Sequence, residues 1–166
     1  GPFLHHAHSV NYLESHDGYT FGDFLRIATG SARPGQRLGE MRVHVTLRPE
    51  QLRIAKLAAA MLCLSRGAVM LHAGQEFARS KVIADSGVPD AMHGILDHNS
   101  YEKDDETNWL DYDHAEWNRP LLEYYRGLIA LRKRFRTLRH APMEHYRFLR
   151  ADVSMAGGFE VRGIEG

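Results

Sequence analysis

At 166 residues, the chain is long enough for one ordinary domain with a sizeable hydrophobic core. Its apolar fraction of 43% and charged fraction of 25% exclude a disordered or fibrous chain. Acidic and basic residues balance at 21 each, so no global field draws the protein to nucleic acid or to an anionic membrane.

The first residues contain no basic region followed by an apolar core, so no signal peptide is visible. No apolar run reaches membrane-spanning length. Both ends read as cuts through a longer protein, which leaves the compartment open, and oligomeric state is not legible. His5, His6 and His8 lack the H-x-x-x-H register of a helical zinc site, and no metal or cofactor is expected.

Val10, Tyr12 and Leu13 fit a short, largely buried strand over 10–14. It gives way to His16, Asp17 and Gly18, two ionisable groups at a strand end followed by a turn. Thr20 to Thr29 carries apolar residues at Phe21, Phe24, Leu25 and Ala28, a helical spacing, with Thr20 as N-cap and Gly30 as the stop. Residues 30–40, rich in glycine and arginine, read as an exposed loop.

A long helix follows, with Pro49 in its first turn, Glu50 at its positive end and Gly67 closing it. It is apolar over much of its girth, which predicts packing on a sheet. The lone Cys63 lies in its apolar run and is expected to be a buried small side chain.

Ala68 to His72 is a short apolar strand of the kind a parallel sheet uses. With the preceding helix and with Val10 to Glu14, it forms a βαβ unit. From Ala73 to Trp117 the chain is polar and aperiodic, and loops of this length are usually functional. Asn118 is the expected N-cap of the next helix, which runs to a solvated basic turn at Arg132, Lys133 and Arg134. After Pro142 the texture turns strand-like, at 146–150 and 159–162.

The element order is that of an α/β fold. It fits the last two β/α units of a (β/α)8 TIM barrel over 1–141, followed by the incomplete start of a C-terminal β-sandwich domain over 142–166. An open doubly wound sheet has the same local order.

Four segments, in order, resemble the α-amylase superfamily of glycoside hydrolases, especially its pullulanase and isoamylase debranching enzymes. They are Asn11 to Asp17, Met70 to Lys81, Asn99 to Tyr112 and Tyr124 to Arg132. The first resembles the end of the seventh barrel strand and the second resembles the eighth strand and its loop. Gly18 stands where pullulanases commonly carry Asn and isoamylase-type enzymes carry Gly, whereas Ala78 to Lys81 is closer to pullulanases. Bond preference therefore stays open.

The resemblance implies retaining cleavage of α-glucosidic bonds, most readily α-1,6 branch linkages in pullulan, glycogen or starch. In that chemistry a carboxylate nucleophile and a carboxylic acid flank the scissile bond. The family takes both from earlier strands, so this chain alone is expected to be inactive. The family's third carboxylate maps onto Asp17, a transition-state stabiliser, with His16 binding the same sugar.

Asn99, Tyr101 and Asp104 are further candidates for substrate binding, because carbohydrates favour amides, carboxylates and aromatic platforms. Glu76 is expected to form a polar brace with Arg79 rather than to act as a catalytic acid. The acidic loop lacks a calcium-binding register. The expected partner is an α-glucan. The alternatives are a non-catalytic or degenerate carbohydrate-binding module, or part of a branching or transglycosylating enzyme.

Overall fold

A computed structural model describes residues 8–87, 89–140, 146–148 and 159–161. Two short strands, β1 (Val10–Asn11) and β2 (Ala68–Val69), pair in parallel, with Val10 opposite Ala68 and Asn11 opposite Val69. Three helices lie between them in sequence: α1 (Phe21–Ala28), α2 (Met41–Val45) and α3 (Pro49–Leu64). After β2 come a 3-10 turn over Gln75–Phe77 and then α4 (Asp113–Trp117), α5 (Arg119–Arg134) and α6 (Thr137–His140). Strands β3 (Tyr146–Phe148) and β4 (Phe159–Val161) pair antiparallel. The other residues of the expected β-domain, including 149–150 and 162, lie outside the described residues, as do His5 and His6.

Both expected parallel strands are present and both are shorter than the sequence predicts. Val10 and Tyr12 are 58% and 56% exposed, not buried, because among the described residues β1 pairs only with β2. Leu13 and Leu71, just beyond the paired segments, carry the apolar contact instead and pack against the main core. That core joins Phe21 and Leu25 of α1, Ala55, Ala59 and Cys63 of α3, Ala78, and Leu121, Tyr125 and Leu128 of α5. Leu121, Tyr125 and Leu128 follow the i, i+4, i+7 spacing of one helical face, and each fully buried side chain of this size contributes about 1.5–3 kcal/mol.

Among the described residues, helix α3 packs chiefly on helices α1 and α5, where the sequence predicts a sheet. Its small residues, Ala55 and Ala59, permit the close approach. Ile54, Leu57, Met61 and Leu64 occupy another face and remain exposed. Pro49 opens the helix as expected, and Gln51 Oε1 accepts from the Arg48 N–H at 2.9 Å. The helix ends at Leu64, before Gly67. Arg132 donates to the carbonyls of Cys63, Ser65 and Gly67, each at 2.7 Å. This basic residue is a cap for a neighbouring helix end, not only a solvated terminus.

Helix α1 departs from its predicted face. Thr20 caps it, accepting from the Asp23 N–H at 3.0 Å, but Phe24 is 60% exposed and Asp23 and Arg26 are buried. Arg26 points inward because it has carbonyl acceptors there: Val45 at 2.6 Å, Ala78 at 2.7 Å and His44 at 3.0 Å. It also pairs with Asp23 at 3.1 Å. Gly22 makes this packing fit, since a Cβ there would lie 2.5 Å from the Ala78 carbonyl oxygen.

Asn118 does not use its side chain as an N-cap. Its Oδ1 accepts from the Leu47 N–H at 2.9 Å, and its Nδ2 donates to the carbonyls of Val45 and Phe77, each at 3.0 Å. The buried amide satisfies three backbone groups in two segments, 45–47 and the one at Phe77. Among the described residues, no helix is long and apolar enough to cross a membrane.

Candidate functional site

The site forms where the loops after β1 and β2 meet. Glu14 lies at the base. It is buried, its Oε1 lies 2.8 Å from His72 Nδ1, and its other oxygen accepts from the Phe21 N–H. One carboxylate thus ties the first loop to the second and to the start of α1. Burial raises the Glu14 pKa, with the Phe21 hydrogen bond and His72 pulling in the opposite direction.

Above this base, His16 and Asp17 are 74% and 78% exposed, with Nε2 of one 3.3 Å from Oδ1 of the other. Gly18 follows with φ +75°, a left-handed turn that suits glycine or asparagine. The His16 carbonyl accepts from Lys81 Nζ at 3.4 Å. Burial lowers the Lys81 pKa, as does the neighbouring Arg79, while Asp97, Glu14 and Asp23 oppose the shift.

A cavity of about 430 Å³ opens beside His16 and is lined by His72, Arg79, Lys81, Ser100, Tyr101 and Asn108. The fold brings His16 and Tyr101 to this cavity, with Asp17 adjacent to His16. Asn99 and Asp104 are not in its lining. Asn99 instead donates its backbone N–H to Asp97 Oδ1 at 2.8 Å.

Sequence reasoning missed His72, Arg79, Lys81 and Asn108 as site residues. The first three stand inside the motif that follows β2, which was the available signal. Asn108 donates to the carbonyls of Ser100 at 2.6 Å and Lys103 at 2.7 Å, folding the loop that presents Tyr101. Asp97 and Lys103 pair at 2.5 Å across the same loop.

Arg79 reaches the carbonyls of Ala73 and Asn108, each at 3.3 Å. The expected Glu76 brace is indirect: Glu76 Oε2 accepts from the Gly74 N–H at 3.0 Å. The Arg79 Nε is buried with no hydrogen-bond partner among the described residues.

Behind the site, Asp23 accepts from Ser80 Oγ at 2.5 Å and from the Lys81 N–H at 2.9 Å. Burial alone would raise its pKa. The His44 hydrogen bond, the Arg26 charge, Ser80 and the Lys81 N–H outweigh burial and leave it lowered. This network holds the second loop against α1. Among the described residues, no group of three or more His, Cys, Asp or Glu side chains is arranged to hold a metal.

Parallel strands, the helices around them and a polar cavity on the loops that follow the strands define an α/β protein. No protein-family model matches the sequence. The chain is 34% identical over 127 residues to a pullulanase of Bacillus subtilis, a match covering 76% of this chain and 14% of the relative. It is 34% identical over 140 residues to a glycogen debranching enzyme of Pectobacterium atrosepticum, covering 75% of this chain and 19% of that one.

Among solved structures, a pullulanase from Paenibacillus barengoltzii complexed with maltotriose superposes with a TM-score of 0.61 at 34% identity. That match covers 88% of this chain and 19% of the neighbour. The chain belongs to the pullulanase- and isoamylase-like group of the α-amylase superfamily, glycoside hydrolase family 13. It spans less than a fifth of the length of these relatives.

Proposed function

We propose that this chain forms part of the substrate cleft of an α-glucan debranching glycosidase. In this reading, residues 1–141 are the last two β/α units of the catalytic barrel and 142–166 begin a β-rich domain. Asp17 hydrogen-bonds sugar hydroxyls at the cleaved residue and stabilises the oxocarbenium-like transition state, while His16 donates to the same sugar. Tyr101 supplies an aromatic face across the cavity. Asn99 and Asp104 serve the outer part of the cleft.

The observation that carries this reading is the exposed His16–Asp17 pair beside a polar cavity faced by Tyr101. Glu14 is buried and engaged by Phe21 and His72, which leaves Asp17, beside the exposed His16, as the solvent-facing carboxylate of the β1 loop. Retaining hydrolysis needs two carboxyl groups about 5–5.5 Å apart; in this reading, as the family resemblance implies, the nucleophile and the general acid are supplied by earlier barrel strands outside these 166 residues.

Calorimetric titration with maltotriose and a reducing-sugar assay on pullulan test the proposal together. The expected result is binding without turnover. Asp17→Ala weakens binding by about ten- to a hundredfold, the worth of a charge-assisted hydrogen bond, and leaves the unfolding midpoint unchanged. Maltotriose binding that ignores Asp17→Ala overturns the site. Sugar release by the chain alone overturns the division of catalytic labour.

A further inference from the structure

A second and larger cavity, of about 530 Å³, lies outside the cleft just described. Its lining comes from α2, from the segment around Val82–Asp85 and His93, and from residues 106–114. The 82–96 lobe is held by a bridge between Val82 and Leu96 and by Gly94 N–H donating to the Ile83 carbonyl at 2.9 Å. Met41 and Ile83 give the wall an apolar part.

Trp109 lines this cavity with 62% of its surface exposed. Around it stand Asp85, Glu106, Asp111, His93 and His114. Trp109, Glu106 and His93 make no side-chain hydrogen bond to any described residue, so an indole N–H, a carboxylate and an imidazole are all available to a ligand. His114 is only 4% exposed, and its Nδ1 has no hydrogen-bond partner among the described residues. Its Nε2 lies 3.5 Å from Asp111 Oδ2, so Nδ1 is the ring nitrogen left without a partner among the described residues. A buried polar atom in that state is costly unless a partner arrives.

The chemistry of the lining selects among ligand classes. Among the described residues no lysine or arginine lines the cavity, so an anion such as phosphate finds no counter-charge there. Its acids and histidines do not converge as metal ligands. A neutral polyol fits: its C–H face stacks on the indole, and its hydroxyls donate to carboxylates and to an imidazole acceptor.

We propose that the Trp109 cavity is a second carbohydrate-binding site, separate from the His16–Asp17 cleft, that holds two or three glucosyl units of an α-glucan. The choice of glucan rests on the function proposed above, whereas the polyol chemistry rests on the cavity itself. Such a site would keep a polysaccharide on the protein while the cleft exchanges one branch for another.

Maltotriose titrations of the full 166-residue chain, of Trp109→Ala and of a His16→Ala/Asp17→Ala variant test this, with circular dichroism checking that each is folded. Calorimetry reads affinity, and the part of the tryptophan fluorescence response that is lost in Trp109→Ala, which leaves Trp117, reads the Trp109 site. Two binding events are expected. Trp109→Ala removes one with at least a tenfold loss of affinity, and the double variant weakens only the other. Glu106→Gln, which keeps the shape of the side chain, weakens the Trp109 event several-fold and leaves the cleft unaffected.

If Trp109→Ala binds as wild type does while the double variant loses binding, the second site is overturned and the cleft stands. If only Trp109→Ala loses binding, the second site stands and the cleft falls. Fluorescence that responds to calcium chloride and not to maltotriose also overturns the proposal.

Discussion

Glu14 Oε1 and His72 Nδ1 lie 2.8 Å apart and join the loops that follow two parallel strands. Fifty-eight residues separate the pair in sequence, yet their contact sets the floor on which His16 stands. Burial raises the Glu14 carboxyl above its ordinary 4.5. A carboxyl raised by folding supports the fold fully below its unfolded value, and that support is lost as pH rises through the folded value. Glu14→Gln is neutral at every pH. Urea unfolding at about pH 4 and about pH 7 should show the wild type losing stability relative to Glu14→Gln as pH increases.

Asp23 has the opposite sign. Its pKa is held below its ordinary 3.8 by His44, Arg26, Ser80 and Lys81 despite burial. Its contribution is present above the unfolded value and disappears as pH falls through the lower folded value. Asp23→Asn leaves Arg26 buried without its charge partner and should cost about 3–5 kcal/mol near neutral pH. The gap between variant and wild type should narrow in acid, as urea midpoints at about pH 7 and about pH 3 will register.

Gly74 has φ +94°, and a Cβ there would lie 2.2 Å from Arg79 Cδ. Gly74→Ala therefore displaces Arg79 from the Ala73 and Asn108 carbonyls. It should destabilise the protein by about 1–3 kcal/mol and weaken maltotriose binding through the Tyr101 loop. Thermal unfolding and calorimetry on the same sample measure both effects.

Asn118→Ala removes the partner of the Leu47 N–H and of the Phe77 carbonyl, while the Val45 carbonyl keeps its bond from Arg26. Each buried group left unsatisfied costs about 1–3 kcal/mol. A loss of roughly 3 kcal/mol or more in chemical denaturation is expected, far beyond the effect of removing an ordinary exposed helix cap.

What was readable in advance was local. Thr20 before an apolar spacing, Pro49 in a first turn and the apolar run at Ala68 each leave a mark within a few residues, and each element appeared. His16, Asp17 and Gly18 were legible for the same reason, as a polar break after apolar residues. The inward turn of Arg26, the three-way bonding of Asn118 and the role of Arg132 at the end of α3 left no such mark. Each is a side chain satisfying backbone groups distant in sequence, and no periodicity encodes that. His72 was overlooked because it read as the last residue of a strand, when the paired strand ends at Val69.

The amide of Asn118 spans separations of 71, 73 and 41 residues with its three hydrogen bonds. Contacts of that reach are bought only after long loops have closed, which places them late in folding and slows its rate. Until α5 docks, the turn at Val45–Leu47 and the segment after β2 are joined only from the α1 and α2 side, by Arg26 and by the His44–Ser80 contact. Transient undocking of that one helix would then loosen the segments beneath both cavities while α1 and α3 still held together. In hydrogen exchange, the amides of Leu47, Ala78 and Lys81 should open as a single cooperative unit.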